Sequence, residues 1–261
     1  MIRRGAYRLL LAAACGWSIA ALAQDDRPRR TRVALGPQVV PNYPGADSVV
    51  VRPLIDVARA RGDDPFAFEA PDESTGFAAW RRGGLAIGPA IGFEGNRTRR
   101  DVGAPVDRVG FTVGAGAFAQ YQLTQAIRLR AELRKGIGGH KGWIGNVGAD
   151  YVARDGDDWL FSLGPRVTLA DDRHHRAYFG VSAADAAATG LPRFRADGGV
   201  QAVGVTAGLI RQLTPRWGVY GYARYDRLFG DAGRSPLVRE YGSRNQLSGG
   251  VAATYTFGGG R

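Results

Sequence analysis

Residues 109–123 read VGFTVGAGAFAQYQL, and the residue type changes at every step along this stretch. The odd-numbered positions, from Val109 to Leu123, are all apolar or aromatic, whereas the even-numbered positions are glycine, threonine or glutamine except for Phe118. Neighbouring side chains of a β-strand point to opposite faces, so this pattern predicts a strand with one apolar face. A bilayer helix would turn the same glycines and glutamines towards lipid. We therefore predict a transmembrane strand over 108–123.

The same alternation recurs in four later stretches, namely 127–134, 159–169, 217–226 and 247–257. In the first of them Arg128, Arg130 and Arg134 share the face opposite Ile127, Leu129 and Leu133. A soluble β-sandwich would also alternate, but it does not usually place arginine after arginine on the face opposite the apolar one in strands this long and rich in glycine. The 39 glycines and the mean hydropathy of −0.21 fit strands of which one face contacts lipid. The pattern predicts an all-β, antiparallel transmembrane β-barrel.

Turn residues between the alternating stretches set the strand count. Short links such as Thr124-Gln125 alternate with long polar segments such as 170–200, as periplasmic turns alternate with extracellular loops in outer-membrane barrels. Ten strands is the alternative to the predicted count of twelve, and either even number leaves both termini in the periplasm. The twelve predicted strands are 31–40, 48–61, 65–70, 75–80, 85–94, 108–123, 126–137, 143–154, 158–169, 201–213, 216–228 and 244–257.

The first 23 residues have the three parts of a secretory signal peptide: arginines, an apolar core over 9–22, and a small-residue cleavage site at Ala21-Leu22-Ala23. Residues 24–261 are predicted to form a single barrel domain in the outer membrane, with 258–261 as a short periplasmic tail. Cys15 is the only cysteine, and its loss with the signal would exclude thiol chemistry. Removing the three signal arginines takes the net charge from +11 to +8. In an exported protein this excess favours anionic lipopolysaccharide or cell-wall polymer, not nucleic acid, as the partner.

No catalytic or metal motif stands out. The three histidines, His140, His174 and His175, fall in predicted loops and are interpreted as solvated. A hydrolase using Ser182 or Ser235 with one of these histidines is a minor alternative, because no nucleophile elbow is present. We predict a protein that is not an enzyme and has no cofactor or metal.

Charged residues on the predicted inward face admit two interpretations. Either they pair across a narrow barrel and close it, or they line a narrow pore that prefers anions. These inward residues are Arg52, Asp56, Arg128, Arg130, Glu132, Arg134, Asp150, Arg166, Arg224 and Asp226.

Two further groups of residues are predicted to contact the envelope. Loop arginines could bind lipopolysaccharide phosphates, since guanidinium groups suit phosphate geometry. They are Arg97, Arg99, Arg100, Arg173 and Arg176. At the other end of the chain, Tyr255 and Phe257 close the last strand and are predicted to be the signal read by the barrel-assembly machinery.

Two stretches resemble the MipA/OmpV family of outer-membrane proteins. YFGVS at 178–182, followed by Ala183–Phe194, is similar to that family's YFGV-S…A…SGLP.Y segment, and SPLVREYGSRNQ at 235–246 is similar to its SPIV…GS..Q stretch. Family members usually stop at an aromatic residue, whereas here 258–261 follow Phe257. The resemblance implies an outer-membrane barrel. It also implies a scaffolding role, in which the barrel joins a murein lytic transglycosylase to a peptidoglycan synthase.

Overall fold

A computed structural model describes residues 27–258, so the predicted signal peptide and the end of the tail lie outside the described residues. Long alternating stretches become strands, and short helices form only in the long loops. The strands are β1 (Arg29–Pro41), β2 (Val49–Arg61), β3 (Thr75–Gly76), β4 (Trp80–Arg82), β5 (Leu85–Glu94), β6 (Thr112–Gln122), β7 (Ile127–Gly138), β8 (Trp143–Asp155), β9 (Trp159–Ala170), β10 (Gly199–Gln212), β11 (Trp217–Leu228) and β12 (Asn245–Phe257). The helices are α1 (Arg99–Val102), α2 (Asp172–Phe179), α3 (Ala183–Thr189), α4 (Gly230–Arg234) and α5 (Pro236–Tyr241).

All twelve strands belong to one antiparallel sheet, which curls into a β-barrel wall. The sheet order is β2-β1-β12-β11-β10-β9-β8-β7-β6-β5-β3, with β4 also pairing with β5. The first and last long strands adjoin, with Thr31 opposite Phe257. Among the described residues, the outer edges of β2 and β3 have no strand partner, so the seam of the wall lies between them.

The outer face of the wall is apolar. Leu35, Val51, Leu133 and Val251 expose between 53% and 67% of their surface although they lie within strands. Thr112 has no exposed surface, whereas Phe111 beside it is 53% exposed, which fits the predicted phase of β6. Apolar side chains exposed on one face of a curled sheet are those that contact lipid in an outer-membrane barrel. None of the helices in residues 27–258 is long and apolar enough to span a bilayer.

The prediction was wrong in detail at 65–80, although the total of twelve strands is confirmed. Residues 65–70 form no strand, and 75–80 yields the two short strands β3 and β4. The chain from Gly62 to Ser74, here called the lumen segment, instead places Phe66 and Ala70 in the barrel interior, where they are 2% and 6% exposed. The count is preserved because one predicted strand is lost and another is divided.

A second core lies at the end of the barrel that carries the long loops. Buried side chains from four loops and from β10 and β11 meet there, and we call this region the cap. Its members include Tyr43, Val106, Phe179, Leu228 and Val238. Val109, which the alternation assigned to the lipid face of β6, belongs to this core at 4% exposure because β6 begins only at Thr112.

Candidate functional site

The lumen segment enters the barrel at the end with short turns. Phe66 is held there by two backbone contacts: its amide donates to Asp157 Oδ1 over 2.9 Å, and its carbonyl accepts from Arg154 over 2.9 Å. The guanidinium of Arg32 lies over its ring at 4.6 Å from the centroid. An aromatic ring stacked under a buried arginine is a stable anchor because the cation is attracted to the face of the ring.

Asp72, near the end of this segment, binds two arginines of the wall. Its carboxylate accepts two hydrogen bonds from Arg166, at 2.8 and 3.1 Å, and one from Arg224 at 2.9 Å. The side chains of Asp72 and Arg166 are each only 8% exposed. A bidentate, charge-assisted contact of this kind fixes geometry as well as charge. The segment is thereby tied to β9 and β11.

Glu73, the next residue, ties the segment to the neighbouring part of the wall. It pairs with Arg128 and lies 3.4 Å from Arg130, both on β7. Arg128 also donates to Asp150 over 2.8 Å and to the carbonyl of Phe68 over 3.1 Å. Two adjacent carboxylates of one segment therefore contact arginines from three strands of the wall.

The inward charges of the wall continue this arrangement, and we call the whole set the lumen network. Its arginines are Arg128, Arg130, Arg134, Arg166 and Arg224, and its carboxylates are Asp72, Glu73, Glu132, Asp150 and Asp226. Five positive charges thus meet five negative ones, which leaves the network with no net charge. Buried charges require such partners, because an unpaired ion in a protein interior is costly.

Two predicted inward residues stand apart from the lumen network. Arg52 faces inward close to Gly95 and lines a cavity of about 370 Å³ beneath the cap, and Asp56 lies near Arg32. Conversely, sequence reasoning missed Asp72 and Glu73, each of which pairs with two arginines of the wall. Their only signal was a pair of acids in a link between predicted strands.

Helix caps explain how the long loops fold. Asp171 accepts from the amide of His174 over 2.9 Å and begins α2, while Ser182 and Asp185 form a capping box that begins α3. A serine or aspartate before the first turn satisfies amides that have no partner inside the helix. Ser235 is fully buried, and its hydroxyl donates to the carbonyl of Phe179 over 2.7 Å. Both serines considered for a hydrolase therefore have structural contacts.

The interpretation of the three histidines as solvated was wrong. His140, His174 and His175 are 4%, 0% and 1% exposed, because α2 packs its inner face against the β7–β8 turn and the cap core. His175 contacts the carbonyl of Asp197 at 2.5 Å through Nδ1. His140 and His174 instead turn towards Glu94, at the end of β5. We call Glu94, His140 and His174 the histidine cluster.

The histidine cluster is compact. Nε2 of His140 lies 3.4 Å and Nε2 of His174 lies 3.8 Å from the same carboxylate oxygen of Glu94. One ligand atom from each of the three residues falls within 4.8 Å of the others, the geometry of a group that could hold a metal ion. Burial lowers the pKa of His174, and burial together with the neighbouring carboxylate raises the pKa of Tyr178, which packs against it. Burial thus favours the uncharged forms of both rings.

The loop arginines predicted to contact lipopolysaccharide include one buried residue. The prediction for Arg97 was wrong, because this residue is only 2% exposed. Arg97 donates hydrogen bonds to the carbonyls of Tyr178 and Asp107, at 2.8 and 2.7 Å, and so stabilises the cap. Arg99, Arg100, Arg173 and Arg176 are exposed. Arg176 is paired with Asp172 at 2.6 Å, one helical turn away.

The aromatic residues at the end of β12 lie together on the wall, at the end with short turns. Tyr255 contacts Trp217 and Phe257, with ring centroids 4.8 and 4.7 Å apart. Phe257 is 54% exposed, and its position suits an aromatic girdle at the membrane surface. The described chain ends one residue later, at Gly258.

Comparison with known proteins gives a family match over nearly the whole described chain. The family described as MltA-interacting protein MipA matches residues 33–257. No curated protein matches the chain.

Solved structures with a similar course of the chain are outer-membrane proteins. The COG4313 outer membrane channel from Pseudomonas putida F1 is 10% identical, with a TM-score of 0.42 over 88% of this chain and 95% of that chain. An anion-selective porin from Comamonas acidovorans is 11% identical, with a TM-score of 0.38 over 88% and 98%. With TM-scores this low, these likenesses carry no argument about function.

Proposed function

Because the chain belongs to the MltA-interacting protein MipA family, we propose that this outer-membrane β-barrel is a scaffold that docks cell-wall enzymes. The family description names interaction with MltA, and the resemblance noted in the sequence associates such interaction with a lytic transglycosylase and a peptidoglycan synthase. We propose no catalytic role for the chain. The barrel anchors the protein, and its surfaces outside the membrane provide the contacts.

The observation that carries this proposal is the occupied lumen. The lumen segment lies across the interior, and Asp72 and Glu73 bind arginines of three strands. Ion pairs across the interior make the wall rigid, which suits a scaffold. The alternative of an anion-preferring pore has less support, because the five arginines that would attract anions are matched by five carboxylates.

Orientation is part of the proposal. The short turns and both ends of the described chain lie at one end of the barrel, and the long loops that build the cap lie at the other. Outer-membrane barrels place short turns in the periplasm. We therefore assign docking of the cell-wall enzymes to the end that carries turns such as 123–126, and contact with lipopolysaccharide to the exposed arginines of the cap.

Photocrosslinking in intact cells tests the proposal. A photoreactive residue at Gln125, which is exposed in a short turn, is compared with one at Arg193, which is exposed in a long loop. The expected result is crosslinks to a transglycosylase or a peptidoglycan synthase from position 125 and none from position 193. Crosslinks to other periplasmic proteins alone, or the same partners from both positions, would contradict the proposal.

A further inference from the structure

We propose that the histidine cluster is a binding site for a divalent transition-metal ion, with Zn²⁺ as its typical occupant. Glu94, His140 and His174 come from three separate elements: the end of β5, the β7–β8 turn and α2. Two imidazoles and a carboxylate are a frequent zinc ligand set that leaves a fourth position for water or another ligand. The three residues are 46 and 34 positions apart in the chain, so no spacing motif reveals them.

The first argument is distance. Two ligands that each stand about 2.1 Å from a zinc ion in tetrahedral geometry are roughly 3.4 Å apart. The Glu94 oxygen and His140 Nε2 are 3.4 Å apart, and that oxygen is 3.8 Å from His174 Nε2. The three ligand atoms lie within 4.8 Å of one another, so small side-chain rotations suffice to close the set around one ion.

The second argument is that these buried atoms have no hydrogen bonds of normal length. Within residues 27–258, both carboxylate oxygens of Glu94, both ring nitrogens of His174 and Nε2 of His140 are buried without such a bond, and the contacts between Glu94 and the two rings are 3.4 and 3.8 Å long. Buried polar atoms are nearly always satisfied, because leaving one unpaired costs free energy. A bound cation would satisfy one nitrogen of each ring and the carboxylate at once.

The third argument concerns charge and access. Glu94 supplies a negative charge that a divalent cation would neutralise. Its side chain is 18% exposed and lines the cavity of about 370 Å³ beneath the cap, so an ion can reach the cluster from the lumen side.

Metal binding at His140 requires a change of ring tautomer. The amide of Gly142 donates to Nδ1 of His140 over 2.9 Å, which leaves the ring proton on Nε2 in the metal-free protein. Binding at Nε2 moves that proton to Nδ1, and the Gly142 amide must turn away.

Calorimetric titration tests the site with Zn²⁺ as the probe. The mature chain, without a histidine tag, is refolded in detergent, treated with EDTA and titrated. One ion should bind per chain. Glu94→Gln, His140→Gln and His174→Gln each remove a direct ligand, so each should weaken binding by more than the roughly 10- to 100-fold that loss of an outer-shell partner costs. His175→Gln is the matched control, because His175 is equally buried in α2 but bonds to Asp197, and it should leave Zn²⁺ binding unchanged.

Proton NMR of the histidine rings gives a measurement on the unaltered protein. The chain has three histidines, so their ring signals can be followed singly. Zn²⁺ should shift the signals of His140 and His174 and leave that of His175 in place. A folded barrel that binds no Zn²⁺ would overturn the proposal and leave a carboxylate–imidazole cluster only. Equal binding by wild-type protein and the three ligand variants would overturn it as well, by placing the ion elsewhere.

Discussion

The lumen network and the histidine cluster are two buried polar groups in one barrel, and they differ in how completely their atoms are paired. In the lumen, Asp72 receives three hydrogen bonds from two arginines. In the cap, the carboxylate of Glu94 has only two long contacts to imidazole nitrogens, at 3.4 and 3.8 Å. Buried carboxylates that are paired with arginines rigidify a fold, whereas buried ligand atoms without hydrogen bonds of normal length indicate a place where something else binds. The difference separates a structural role from a binding role.

The largest effect is expected from Asp72→Asn. Removing this charge leaves Arg166 and Arg224 in the interior without their shared partner, and breaking a buried pair from one side typically costs about 3 kcal/mol or more. We expect the free energy of unfolding to fall by about that amount, measured by urea titration in lipid vesicles with heat-modifiable gel migration as the readout. Asp197→Asn, a control at an exposed ion pair, should change it little. Equal effects of the two changes would show that the lumen network does not hold the barrel.

A smaller effect is expected from acidification of the cap. The pKa of His174 is lowered by burial in the folded protein, whereas the unfolded chain has the ordinary value of 6.5. The unfolded state therefore takes up a proton first as the pH falls below 6.5, and stability of the cap decreases by up to about 1.4 kcal/mol per pH unit until the folded pKa is reached. Metal-free protein should be cut faster in the cap by a protease at pH 5.5 than at pH 7.5. If His174→Gln shows the same pH dependence, another group is responsible.

The smallest effect is expected from Glu94→Gln without metal. The carboxylate lies 3.4 and 3.8 Å from the two imidazole nitrogens, so its contacts are longer than normal hydrogen bonds, and the free energy of unfolding should fall by only about 1 kcal/mol. The same urea titration measures it. A loss as large as that of Asp72→Asn would show that Glu94 is a structural ion-pair partner, and the contrast between the two regions would disappear.

The sequence predicts most strands of the barrel wall, but it does not predict the lumen segment inside the barrel. Alternation depends on neighbouring residues, so β6 to β12 and the inward phase of Arg128, Arg130 and Arg166 could be predicted. Apolar residues also alternate along the lumen segment, at Phe66 and Phe68. Alternation alone does not distinguish apolar side chains that face lipid from apolar side chains that face the barrel interior. The segment was therefore assigned to the wall as a strand.

The histidine cluster could not be predicted from the sequence for a different reason. Glu94, His140 and His174 meet only after the sheet register and the packing of α2 are set, and nothing local marks them. Loop position suggested solvated histidines, because loops usually lie on the surface. Here the long loops have their own core, so loop residues are buried as fully as core residues.

Ionic conductance in planar bilayers tests the central claim, that the lumen segment closes this barrel. The wild-type protein should show no steady channels. A variant in which residues 66–74 are replaced by a glycine-serine linker of the same length should conduct, because it lacks both Phe66 and the carboxylates of Asp72 and Glu73. Heat-modifiable migration of both proteins confirms that each barrel is folded. Steady, anion-selective channels from the wild-type protein would contradict the account and favour a pore.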